Sequence, residues 1–180
     1  MPAYIAFLRA INVGGHTVKM DVLRHLFESL TFKNVETVIA SGNVVFDSST
    51  RDVAALARKI EGHLHESLVY EVRTFIRTMP ELANIASYQP FKESDLSAPA
   101  HALYVAFFSD PIGSDAEGKL KPWVTAWDEF HAAGTEIYWL SRRKMSASDF
   151  SGAVLEKTLK ASATLRNITT VRKIAAQFAL

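Results

Sequence analysis

The sequence predicts an α+β fold made of two ferredoxin-like halves, each a strand-helix-strand-strand-helix-strand run followed by one more helix. Three observations predict it. Short apolar segments alternate with longer stretches in which apolar residues recur at helical spacing. A glycine-bearing turn stands between the second and third expected strands of each half, Ser41-Gly42-Asn43 in one and Ala133-Gly134-Thr135 in the other. A polar stretch with two prolines, Tyr88 to Pro99, separates the halves. The expected boundaries are residues 1–87 for the first half, 88–101 for the linker and 102–180 for the second half.

In the first half, Tyr4 to Leu8 is a compact apolar run and the expected central strand. The run Leu8-Arg9-Ala10-Ile11-Asn12-Val13-Gly14-Gly15 follows, with glycines suited to a tight turn. Val22, Leu23, Leu26, Phe27 and Leu30 share one helical face, with Asp21 in the first turn and Lys19 just before it. Val35 to Ala40 and Val44 to Phe46 are the second and third strands. Ser49 and Asp52 form a weak capping box ahead of a stripe of Val53, Leu56, Ala57, Ile60 and Leu64. Val69 to Ile76 is the fourth strand, and Thr78-Met79-Pro80-Glu81 starts the trailing helix.

The second half repeats the order. Ala102 to Phe108 is its first strand, and a helix is expected between Asp115 and Trp127, bent at Gly118 and Pro122. Glu129 to Ala132 and Glu136 to Leu140 form the hairpin. Phe150, Val154, Leu155 and Leu159 mark a helix from near Ser148, Ala163 to Arg166 is a short strand, and Ile168, Val171, Ile174, Ala175 and Phe178 mark the last helix. No residue-level repeat is evident, so the duplication rests on element order alone. The alternative is one continuous domain with a larger mixed sheet.

Composition narrows the function. The 180 residues are 48% hydrophobic and 22% charged, ordinary for a globular core. No apolar run approaches the roughly 20 residues of a membrane helix. Met1-Pro2-Ala3-Tyr4 lacks the pattern of a signal peptide, and the chain has no cysteine, so a cytoplasmic protein without membrane association is expected. The formal net charge of +1 argues against a nucleic-acid surface. His63 and His65 are two apart and no zinc-like spacing occurs, so no metal site and no cofactor are expected.

The ferredoxin-like order brings polar residues to two rims. The first collects Arg9, Asn12, Gly14, Gly15, Lys19, Ser41, Gly42 and Asn43, beside the start of the first helix. The second collects Arg142, Arg143, Lys144, Ser146, Ser148, Arg166, Asn167 and Thr170, near two helix starts. Both suit phosphate or carboxylate. Neither is a Walker loop or a dinucleotide fingerprint. The competing reading is ordinary local chemistry: glycines that only turn the chain, asparagines that satisfy loop backbone, Arg9 paired with a local carboxylate, Arg142, Arg143 and Lys144 as a solvated loop, and Ser148, Asn167, Thr169 and Thr170 as helix caps.

The segments LRAINVGG, IASGNVVF, RRKMSASDFSGAVLEKTL and ATLRNITTV together resemble a bacterial family known as domain of unknown function sixteen ninety-seven. The resemblance runs over nearly the whole chain, with Ala10 standing where the family pattern usually has glycine. It implies an α+β protein of two related subdomains and supplies no activity, cofactor or catalytic residue. The family pattern includes Arg9, Asn12, Gly14, Gly15, Ser41, Gly42, Asn43, Thr164, Arg166, Asn167, Thr170 and Lys173.

The leading expectation is a binding protein for a small anionic ligand, such as a nucleotide or phosphorylated metabolite. One alternative is a structural or protein-interaction module without catalysis, for which Trp123, Trp127 and Trp139 are the residues to watch. Another is single-stranded nucleic-acid binding, disfavoured because Gly42-Asn43-Val44-Val45-Phe46-Asp47 lacks the paired aromatics of RNA-recognition modules. Enzymatic activity is left open: Asp47, Asp149, Glu136 and His16 show no recognisable catalytic spacing, and Ser41 and Ser146 are not in a nucleophile elbow. The sequence carries no signal of oligomeric state.

Overall fold

A computed structural model describes residues 1–12, 14–39 and 42–178. Ser41 of the first rim, with Ala40 of the expected second strand, therefore lies outside the described residues. The chain divides into two compact units, one of residues 1–84 with the segment from Ile174 onward, the other Ile85–Lys173.

In the first unit, β1 (Ala3–Leu8), β2 (Lys33–Thr37), β3 (Asn43–Asp47) and β4 (Thr74–Thr78) form an antiparallel sheet in the order β2-β3-β1-β4. That is the ferredoxin-like order, with β1 between β3 and β4. The helices are α1 (Met20–Glu28), α2 (Val53–Leu68) and α3 (Met79–Ser87), the last of which runs into the second unit from Ile85. Alternate residues of β1 face opposite sides of the sheet. Tyr4, Ala6 and Leu8 pack with Phe27 of α1 and Leu56, Ile60 and Leu64 of α2. Ile5 and Phe7 on the other side are also fully buried. Burial on both faces is why β1 reads as a continuous apolar run.

Local chemistry sets the element ends. The Asp52 carboxylate accepts from Ala55 N–H at 3.0 Å and caps α2. Val69 ends that helix in the left-handed region at φ 66°, so β4 begins at Thr74 and not at Val69 as the apolar run suggested. The Thr78–Glu81 box forms as expected: Glu81 accepts from Thr78 N–H at 2.8 Å, and Thr78 Oγ1 accepts from Glu81 N–H at 3.3 Å.

The second unit begins its described elements with the short helix α4 (Glu93–Leu96), inside the stretch expected as linker. It continues with β5 (Ala102–Phe108), α5 (Ala116–Leu120), β6 (Asp128–Ala133), β7 (Glu136–Ser141), α6 (Gly152–Leu159), β8 (Ala163–Asn167) and the start of α7 (Ile168–Gln177), whose residues from Ile174 onward belong to the first unit. Its antiparallel sheet has the order β6-β7-β5-β8, the same order again. The helix expected to reach Trp127 stops at Leu120, and Pro122 sits in a 3-10 turn over Lys121–Trp123. Helix α6 starts at Gly152 and not near Ser148. Its cap is Ser151, which accepts from Val154 N–H at 3.3 Å.

The register reveals a repeat that the sequence alone hid. Tyr4 pairs with Thr78 and Ile5 with Arg77, while Tyr104 pairs with Asn167 and Val105 with Arg166. Tyr4-Ile5-Ala6-Phe7-Leu8 thus corresponds to Tyr104-Val105-Ala106-Phe107-Phe108. Arg77 Nη1 donates to the preceding carbonyl, of Ile76, at 2.8 Å, and Arg166 Nη1 does the same to Leu165 at 2.8 Å. Leu8 N–H donates to Gly42 O at 2.8 Å, and Phe108 N–H donates to Thr135 O at 2.9 Å.

Gly42 is held at φ +76°, and a Cβ there would lie 2.7 Å from Ile11 Cγ2 and 3.2 Å from Leu8 Cβ. Gly14 has φ +62° but nothing within 4 Å of the same position. Gly42→Ala is expected to lower stability by about 3 kcal/mol, from backbone strain plus overpacking, and Gly14→Ala by about 1 kcal/mol, from strain alone. Urea denaturation measures both. Equal losses would show that the contact with Ile11 does not govern this turn.

Candidate functional site

The first corner grows from the C-terminal end of β1. Arg9 N–H donates to Arg73 O at 2.8 Å, tying the start of the loop to the segment that enters β4. Ile11 is buried, and its carbonyl accepts from the Tyr70 hydroxyl at 2.8 Å. Burial raises the pKa of that phenol. Asn12 Oδ1 accepts from Val18 N–H at 2.8 Å, closing the loop on itself. Between them Gly14 and Gly15 run exposed at φ 62° and 83°. The His16 ring stacks on Tyr70 with centroids 4.1 Å apart and planes at 25°. Lys19 stands immediately before α1, extended and exposed, and no side chain caps the helix there.

Asn43 is fully buried at the start of β3 and donates from Nδ2 to Val38 O at 3.0 Å. Val38 N–H returns a bond to Asn43 O at 2.9 Å. Ile11, Asn12, Gly42 and Asn43 line one dimple, which the structure therefore does bring together. Its free volume is about 10 Å³, no more than one water molecule needs. Both asparagines shape the backbone here, while Gly14, Gly15 and Lys19 are exposed and Arg9 is half-buried.

The second rim is organised around Asp128, a residue that the sequence reading did not single out. Its carboxylate is buried and accepts from Trp139 Nε1 at 2.8 Å and from Ser148 Oγ at 3.2 Å. Arg143 Nη2 lies 3.4 Å from it. Arg142 engages Glu129 closely and lies 3.5 Å from Asp95. The hydrogen bond to Glu129 is the main cause that raises the Arg142 pKa. Ser146 is exposed on a 3-10 turn over Met145–Ala147.

Arg166 does not join this group. It pairs across the sheet with Val105, whereas Tyr104, Ala106 and Trp139 lie on the helix-covered face with Phe150 and Leu155. Alternation therefore puts Arg166 on the opposite face from Asp128 and its partners. It is 8% exposed and donates to Thr164 Oγ1 at 2.8 Å. Burial pushes its pKa down to about 10, so it remains charged at neutral pH. Asn167 Oδ1 accepts from Thr169 N–H at 2.9 Å and holds the start of α7, and Thr170 is half-buried in the first turn. Of the tryptophans, Trp139 is buried and Trp123 half-buried, while Trp127 is 50% exposed beneath the Arg143 guanidinium, 6.0 Å above its ring.

The model of a family described as a protein of unknown function, DUF1697, matches residues 1–138. The chain belongs to that family. The DUF1697 match spans the whole first corner and ends short of Arg142. A conserved bacterial protein of Streptococcus pneumoniae has the same fold as this DUF1697 chain, with a TM-score of 0.72 at 23% identity, over 100% of this chain and 99% of the other. A search of the curated proteins finds no match. Among the described residues, no helix is long and apolar enough to cross a membrane.

Asp128→Ala is expected to destabilise this DUF1697 protein by about 3 kcal/mol, because it strips the buried Trp139 Nε1 and the half-buried Arg143 of their acceptor. Ser148→Ala should cost about 1 kcal/mol, since one neutral donor is lost. Chemical denaturation followed by tryptophan fluorescence checks the order. A larger effect at Ser148 would contradict it.

Proposed function

We propose that this DUF1697 protein binds a small phosphate- or carboxylate-bearing ligand at the loop between β1 and α1. The observation that carries this reading is the setting of Arg9 and Lys19. They flank two exposed positive-φ glycines with open space above them, at the start of a nine-residue helix that no side chain caps. Backbone N–H groups at such a start favour an anion, and basic side chains add charge. Asp21, the acidic residue of that first turn, lies 3.7 Å from Arg24. In this reading Asn12, Gly42 and Asn43 hold the shape of the rim.

The second rim is the weaker candidate. Arg142 and Arg143 already face Glu129, Asp95 and Asp128, so an incoming anion would compete with carboxylates in place. The reading is of a binding protein, and the cysteine-free composition suits the cytoplasm.

Calorimetric titration with inorganic pyrophosphate tests it. Wild type should bind, more weakly as salt rises. Lys19→Ala and Arg9→Ala should each weaken binding about tenfold, the scale of one lost charged hydrogen bond. Wild type that binds neither pyrophosphate nor citrate, or variants that match wild type, would overturn the proposal.

A further inference from the structure

We infer that the anion taken by this loop is a purine nucleotide whose base stacks on His16, an inference that rests on the anion-binding reading above. The imidazole of His16 lies on the phenol ring of Tyr70 at 4.1 Å and 25°. Tyr70 is itself fixed: its hydroxyl donates to Ile11 O at 2.8 Å, and its ring packs against the core of the first unit. The platform is thus held from below before any ligand arrives, which lowers the ordering cost of binding. His16 is exposed, and Tyr70 is the ring stacked against it. A flat aromatic face beside a cationic loop suits a ligand with a flat ring at one end and a phosphate at the other. Purines cover more of such a face than pyrimidines do.

The second unit supplies an internal comparison. Its equivalent loop, residues 109–115, also leaves the end of the central strand and meets the hairpin turn, through Phe108 N–H to Thr135 O and Ile112 N–H to Gly134 O. That loop carries Asp110 and Asp115 and has no aromatic or basic side chain. The fold therefore does not require Arg9, His16 or Lys19 at this corner. Ligand recognition is one use that would draw on the exposed His16 and Lys19 together.

The test is calorimetric titration with adenosine monophosphate and with ribose 5-phosphate at one salt concentration. The nucleotide should bind about tenfold more tightly, the contribution of one base–aromatic stack. His16→Ala should remove that preference and leave the affinity for ribose 5-phosphate unchanged, while His16→Phe should keep the preference. Equal affinity of wild type for the two ligands would overturn the nucleotide inference and leave the anion reading standing. Binding of neither would remove both. A preference that survives His16→Ala would place the base elsewhere and also overturn the inference. His16 is exposed, so its replacement leaves the core intact, and matching thermal melts verify that.

Discussion

The hydrogen bond from Leu8 N–H to Gly42 O is the constraint on which the first corner depends. It fastens the end of the central strand to the hairpin turn, so that everything leaving β1 starts from a fixed point. Gly42 takes a left-handed conformation there and leaves no room for a side chain, because Ile11 is packed over it. Ile11 in turn presents its carbonyl to Tyr70. Three segments distant in sequence, the loop after β1, the turn before β3 and the chain after α2, are thus locked by one close approach. The same strand-end bond recurs in the second unit with Thr135 in place of Gly42, and a Cβ at the neighbouring Gly134 would meet nothing within 4 Å. The architecture tolerates both solutions, and only the first builds a ring platform.

Charge is handled differently at the two ends of the duplicated fold. Around β6 and β7, Arg142 and Arg143 lie against carboxylates, and Asp128 is surrounded by donors. Burying such groups is costly unless each finds its partner, so these contacts hold the end of the sheet in one arrangement. In the loop after β1, Lys19 is exposed just before α1 and Arg9 is half-buried. A surface charge costs little to maintain and gains little from its neighbours.

The element order, the two sheets and the glycine turns were legible in the sequence because they follow from periodicity and turn chemistry, which are local. The ends were less so. Val69 looks like strand and serves as a left-handed helix terminus, and Ser148 looks like a cap and donates inward to Asp128. Both outcomes depend on partners distant in sequence. The residue-level repeat stayed hidden because only the pairing of Tyr4 with Thr78 and of Tyr104 with Asn167 fixes the alignment of the halves. The rim after β1 was visible as glycines and basic residues. Tyr70 was not, since nothing near it in the chain connects it to Ile11 or His16. The grouping of Arg166 with Arg143 failed on sheet alternation, which sends Arg166 to the other face.

These outcomes separate two kinds of polar residue that look alike in a sequence. Asn12 and Asn43 have short side chains close to the backbone, and the structure uses both to satisfy neighbouring N–H and C=O groups. A short amide at a turn is drawn to such partners because an unsatisfied backbone group is expensive. Arg9, His16 and Lys19 reach farther than the turn requires, and the equivalent loop of the second unit manages without them. Where a duplicated fold keeps its turn and changes its long side chains, the turn answers to architecture and the side chains are free to differ. The ring of His16, held flat on an anchored tyrosine, is the part of this corner that architecture explains least.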